Sequence, residues 1–113
     1  MTSIQSLFDT WRGQPDAVHR DQLVAFALHY DNSDHLPHYS TDMKASLSAM
    51  SEAWGVMEEH APAQVICSSD HSGCRVEWWM DEGDHLITPT FSSEAESRAF
   101  AAFAFASIEA DPS

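Results

Sequence analysis

Residues 38–60, HYSTDMKASLSAMSEAWGVMEEH, constrain this chain more than any other stretch. Met43, Leu47, Met50, Trp54 and Met57 recur at spacings of 4, 3, 4 and 3, which lays five large apolar side chains along one stripe of a helix. At its start, Ser40 or Thr41 can accept a hydrogen bond from a free backbone N–H. Asp42 sets a negative charge at the positive end of the helix dipole. Lys44, Ser48, Ser51, Glu52, Glu58 and Glu59 fall mainly on the other faces. A helix with one such stripe needs a partner surface, and the strands that follow can supply it.

Upstream, Ser3 caps a first helix whose Ile4, Leu7, Phe8 and Trp11 share a face, and Gly13 stops it by accepting a left-handed conformation. Pro15 suits the first turn of a second helix over about 15–30, with Val18, Leu23, Phe26, Ala27 and Tyr30 as its buried residues. The turn-forming segment 31–38, DNSDHLPH, leads into the long helix. Downstream of Pro62, residues 63–68 and 74–80 read as strands around a turn at 69–73. In the second strand Val76, Trp78 and Met80 alternate with Arg75, Glu77 and Trp79, so one face is buried and the other partly wet. A tight turn at 81–84 precedes a third strand over 85–91, whose Pro89 makes it an edge or ends its pairing early. Ser93 and Glu96 form a capping box for a last helix with Phe100, Phe103, Ala104 and Ile108 on its apolar face.

The expected fold is therefore α+β, in the order α-α-α-β-β-β-α, with a three-stranded antiparallel meander packed by helices. At 113 residues the chain makes one domain, 1–113, with N-terminal helices over about 3–30 and a helix–meander–helix core over about 39–110.

From Tyr39-Ser40-Thr41-Asp42 onward, the chain resembles the small phage and prophage proteins of the phage ABA sandwich domain family. The resemblance rests on that tetrapeptide opening a helix, a short meander with a Trp-bearing strand, and an alanine-rich final helix. It covers about 39–110, with Leu23-Val24 as an upstream echo. The start of the last helix, SSEAESRAF, and the Trp78-Trp79 pair depart from that group's pattern. The resemblance implies a phage-derived origin and a layered α/β/α-like sandwich, and it brings no activity or site residue with it.

Charge narrows the function classes. The chain has 18 acidic residues against 5 Lys and Arg, a formal net charge of −13. Nucleic-acid binders gain affinity by neutralising phosphates with Lys and Arg, so direct binding is excluded as an expectation, and anionic membranes are disfavoured likewise. Basic protein surfaces are the natural partners. The N-terminus lacks the basic start and apolar run of a secretory signal, so a bacterial cytoplasmic location is expected.

Catalytic patterns are weak. There is no G-x-S-x-G, no P-loop and no G-x-G-x-x-G. With Asp70-His71 as a two-residue turn, Cys67 and Cys74 would face each other as a hydrogen-bonded pair, which suits a disulfide poorly. Cys67, Asp70, His71 and Cys74 have metal-donor chemistry, but their spacing matches no usual zinc pattern. Of the seven histidines, only His35 and His38 are close in sequence.

Accordingly, no cofactor, metal or catalytic residue is expected. The expectation is a non-enzymatic, phage-type interaction protein docking an acidic surface on the basic nucleic-acid-binding site of a host protein, such as a defence complex. Its interaction residues are Glu58, Glu59, Trp79, Asp81, Glu82, Asp84, Glu94 and Glu96. The alternatives are a homo-oligomeric accessory protein pairing helix faces or an edge strand, and a small metal-dependent enzyme using Cys67, His71 and Cys74.

Overall fold

A computed structural model describes residues 3–28, 38–56, 64–79 and 85–110. The elements run α1 (Ile4–Arg12), α2 (Ala17–Ala27), α3 (Met43–Val56), β1 (Gln64–Asp70), β2 (Gly73–Trp79), β3 (His85–Ile87) and α4 (Glu94–Ala110). The strands form one antiparallel sheet in the order β1-β2-β3. The chain is an α+β protein with the expected element order.

The centre of the molecule is α4. Each residue from Ala99 to Ala106 is buried, and the helix packs against α1, α2, α3 and β2. Alanine is the best helix former, and its small side chain lets neighbours approach on every side of the helix. The phenylalanines between the alanines fill the space: Phe105 lies 4.1 Å from the Trp78 ring, and Phe100 lies 5.5 Å from Trp11 and 5.4 Å from Phe91. A helix that is apolar all round belongs inside a protein.

That arrangement rotates the helices around it. On α3 the buried residues are Ser46, Ala49, Met50 and Ala53, while Met43 and Leu47 of the expected stripe are exposed. Met50 of the stripe is buried as expected, while the small Ser46, Ala49 and Ala53 beside it bring α3 close to the alanines of α4, and Met43 and Leu47 turn outward. Trp78 packs on α4 through Phe105. Met57 and the side chain of Trp54 lie outside the described residues. On α2 the expected Val18 and Phe26 are 55% and 68% exposed, and Leu23 and Ala27 are half-buried. The buried set is Asp21, Val24, Ala25 and Leu28, at i, i+3, i+4 and i+7. Tyr30 lies outside the described residues.

The helix ends follow the sequence in part: the Ser3 cap is present, but α2 begins at Ala17, so Pro15 lies outside it and not in its first turn. Ser3 forms a full capping box with Ser6, and Asp16 caps α2 through the His19 N–H at 3.0 Å. Asp42, not Ser40 or Thr41, bonds the first turn of α3, accepting from the Lys44 N–H at 3.3 Å. Gly13 closes α1 with φ −76°, a right-handed conformation open to any residue.

The sheet differs from expectation in its register. The turn residues are His71 and Ser72, so Cys67 faces Val76 and Cys74 faces Ser69. Two local features set this. The Asp70 carboxylate accepts from both the N–H and the hydroxyl of Ser72, and Gly73 adopts φ +131°. The two cysteines thus sit diagonally on one face of the sheet, both free. At the other edge the regular strand ends at Ile87, earlier than the expected 91. Thr88 then donates its N–H to the Val76 carbonyl and accepts the Val76 N–H through its hydroxyl. Pairing resumes at Phe91 opposite Cys74, one residue out of step. This is a bulge, and it contains Pro89, which has no N–H to donate.

Gly13 and Gly73 should therefore respond differently. A Cβ at Gly73 would collide with Thr90 and the Phe91 carbonyl in a backbone conformation L-residues avoid, so Gly73→Ala should cost about 1–3 kcal/mol. Gly13→Ala meets only a 3.2 Å contact with the Asp9 carbonyl and should stay within about 0.5 kcal/mol. Urea midpoints of the two variants check the contrast.

Candidate interaction surface

The described ion pairs show where the positive charge goes. Arg12 pairs with Asp9 at 3.0 Å, Arg20 with Glu96 at 3.2 Å, Arg75 with Asp70 at 3.4 Å and Glu77 at 3.7 Å, and Arg98 with Glu94 at 3.1 Å. All four arginines of the chain thus meet acids of their own chain, and Lys44 is the fifth cation. The acidic surplus is carried elsewhere. Asp31 and Asp34, Glu58 and Glu59, and Asp81, Glu82 and Asp84 belong to segments 29–37, 57–63 and 80–84, outside the described residues.

The register fixes where two of those segments join the fold. Gln64 pairs with Trp79, and Trp79 pairs with His85. Segments 57–63 and 80–84 therefore connect at the same end of the sheet. Five of the eight expected interaction residues, Glu58, Glu59, Asp81, Glu82 and Asp84, belong to these two segments and so lie outside the described residues. Trp79 itself marks this end: it is half-buried, and its indole stacks on the His85 imidazole at 4.4 Å with 6° between planes. Its face of the sheet also carries Ile66 and Ile87, both exposed, and Glu77, which lies 4.0 Å from the His85 ring.

Glu94 and Glu96 sit elsewhere and are engaged internally. Glu94 accepts from the Ser69 hydroxyl at 3.2 Å, near the opposite end of the sheet, and pairs with Arg98. Glu96 is the meeting point of three elements. Its Oε2 accepts from the Trp11 indole N–H at 3.3 Å and from Arg20 at 3.2 Å, while Arg20 Nε donates to the Trp11 carbonyl. Ser93 does cap α4 through the Glu96 N–H, but the Glu96 carboxylate clasps α1 and α2 to α4. An aromatic N–H and a guanidinium far away in sequence carry no local signal, so spacing alone reads this glutamate as a capping-box residue.

A buried carboxylate, that of Asp21, explains the Tyr39–Asp42 tetrapeptide. Asp21 is 3% exposed and accepts from the Ser40 N–H at 2.9 Å and the Ser40 hydroxyl at 2.8 Å. His38 lies 3.9 Å from its other oxygen. Tyr39 is buried beside this pair. Burial holds its phenol above the ordinary value of 10.0, and the nearby Glu52 and Asp21 carboxylates add to the shift. The tetrapeptide thus ties α2 to the start of α3 and offers no open chemistry.

The cysteine–histidine group does not converge. Cys67 is exposed on β1, Cys74 is half-buried diagonally from it, and Asp70 is committed to Ser72 and Arg75, with its acidity raised by the Ser72 hydroxyl above all. Among the described residues no three His, Cys, Asp or Glu side chains form a group that could hold a metal ion. Among them, too, no helix is long and apolar enough to cross a membrane.

Two measurements test this local account. Asp21→Ala leaves the buried Ser40 N–H without its acceptor and should cost about 1–3 kcal/mol, read as a lower urea midpoint, with Asp21→Asn losing less because it retains an acceptor. For Tyr39 the neutral phenol is favoured in the folded state, so its stabilising contribution is full below the unfolded pKa of about 10 and is lost as pH rises through the higher folded value. Ultraviolet titration should show tyrosinate from Tyr39 appearing above that range in folded protein, and its appearance at the free-phenol pH would contradict the burial. No protein-family model, curated protein or solved structure matches the chain.

Proposed function

We propose that the chain is a non-enzymatic, phage-type interaction protein that docks on the basic, nucleic-acid-binding surface of a host protein, such as a defence complex, and blocks it. The observation that carries this reading is the distribution of charge. Every described arginine pairs with an acid of its own chain, and Gln64, Trp79 and His85, the strand residues next in sequence to the acid-bearing segments 57–63 and 80–84, lie at one end of the sheet. Carboxylates there would take the place of phosphates, and a partly exposed aromatic pair would supply the apolar anchor that dominates interface energetics. Glu94 and Glu96, held by Arg98, Arg20 and Trp11, take a supporting place in this reading, as parts of the scaffold behind the surface. A location in the cytoplasm of a bacterial cell, and descent from a phage protein with the Tyr39–Asp42 helix start, belong to the same proposal.

The test is capture from a bacterial lysate on immobilised protein, washed at low and at high salt, with bound proteins identified by mass. A nucleic-acid-binding protein should be retained at low salt and released at high salt, because exposed charge pairs are screened beyond about 10 Å at 0.1 M salt. Reversing Asp81, Glu82 and Asp84 together to Lys should weaken its binding at least tenfold, about 1.4 kcal/mol. Undiminished binding by that triple variant would remove this surface from the proposal.

A further inference from the structure

The two edges of the sheet are built differently. The β3 edge is only three residues long and runs straight into the Pro89 bulge, both devices that discourage a further strand. The β1 edge is seven residues long and contains no Pro, Lys or Arg, with its one charge at the last residue, Asp70. Its hydrogen-bonding pattern follows from β2. Cys74 exchanges both backbone bonds with Phe91, and Val76 accepts from Thr88, so these residues direct their backbone groups away from β1. Backbone direction alternates along a strand, so Arg75 and Glu77 bond to Ser68 and Ile66. Val65, Cys67 and Ser69 therefore aim their N–H and C=O groups off the sheet, and among the described residues no backbone group meets them.

We propose that this edge pairs with the same edge of a second copy, antiparallel about a two-fold axis at Cys67. Cys67 is the midpoint of β1. Centred there, Val65 meets the second copy's Ser69, Cys67 meets Cys67, and Ser69 meets Val65, giving about six inter-chain hydrogen bonds with no outward group left over. Asp70 falls opposite Gln64, so no like charges face each other across the seam of a chain that is otherwise strongly acidic. The pairing also has apolar surface to cover. Ile66 is exposed on β1. Beside the edge, Arg98, which lies near the Cys67 thiol, donates to the Met43 sulfur, and this places α3 next to the seam. Among the described side chains of that helix, Met43 and Leu47 are the large apolar ones that face outward, and a second α3 brought up by the two-fold axis covers them. Because the β3 edges are blunted, the six-stranded sheet closes at two copies and does not propagate into a fibre.

The pairing stands apart from the docking proposal, and salt separates the two. Screening relieves repulsion between like-charged copies, so the dimer should hold or strengthen at high salt, where the docked host protein is released. Sedimentation velocity across a concentration series should give a species of twice the chain mass at high salt. Cys67→Pro removes an N–H that β2 does not use, so it should give a monomer with unchanged circular dichroism. Independently of that variant, a short bis-maleimide should link two copies through Cys67 in Cys74→Ser protein, and Cys67→Ser/Cys74→Ser protein should give no link. A chain that sediments as a monomer at every concentration and salt, or a dimer that resists Cys67→Pro and does not cross-link through Cys67, would overturn the proposal.

Discussion

The rest of the structure depends on the complete burial of α4. An ordinary surface helix offers one stripe to the core, but the segment from Ala99 to Ala106 offers its whole circumference. With no polar side chain in that run, every direction must be covered, and the chain covers it with three helices and the middle strand of the sheet. The alanines decide how close the covers come, and Phe100, Phe103 and Phe105 decide what they must be shaped to receive. Trp11 and Trp78 are that complementary shape on two of the covers.

Surrounding one apolar rod has a polar cost at its ends, and two carboxylates deal with it. Glu96 sits in the first turn of α4, where the helix dipole favours an anion, and draws in the Trp11 indole and the Arg20 guanidinium. Asp21 does the equivalent between α2 and the start of α3 by satisfying the buried N–H and hydroxyl of Ser40. A buried donor left without a partner costs about 1–3 kcal/mol, so each carboxylate has a structural part to play. In a chain this acidic, some carboxylates are structural parts, and composition does not tell them from those that face solvent.

Much of the architecture was legible in the sequence. Periodicity gave every helix and strand, Ser3 and Ser93 marked two helix starts, and Pro89 marked the blunted edge. Orientation was the harder matter. Large residues such as Phe26 and Leu47 suggested buried faces, but the packing chose small residues, because α4 could be approached closely. The uninterrupted apolar run of α4 was the available signal, since a helix apolar on all sides has no outward face. Register slipped because a side-chain interaction, Asp70 with Ser72, moved the turn by one residue and thereby Cys67 by two relative to Cys74. Of the surface residues, Trp79 was placed by strand alternation alone, whereas the engagement of Glu96 depended on groups brought near only by the finished fold.

The position of α4 along the chain also bears on how the protein is made. It is the last described element to leave the ribosome, yet it is the object around which the others are arranged. While α1 to β3 emerge, Trp11, Val24, Ala53 and Trp78 have no common surface to bury against, and the nascent chain carries its future interior facing water. Burial of these side chains against α4 awaits residues near 106, and the interval before it is when chaperones and proteases have their access.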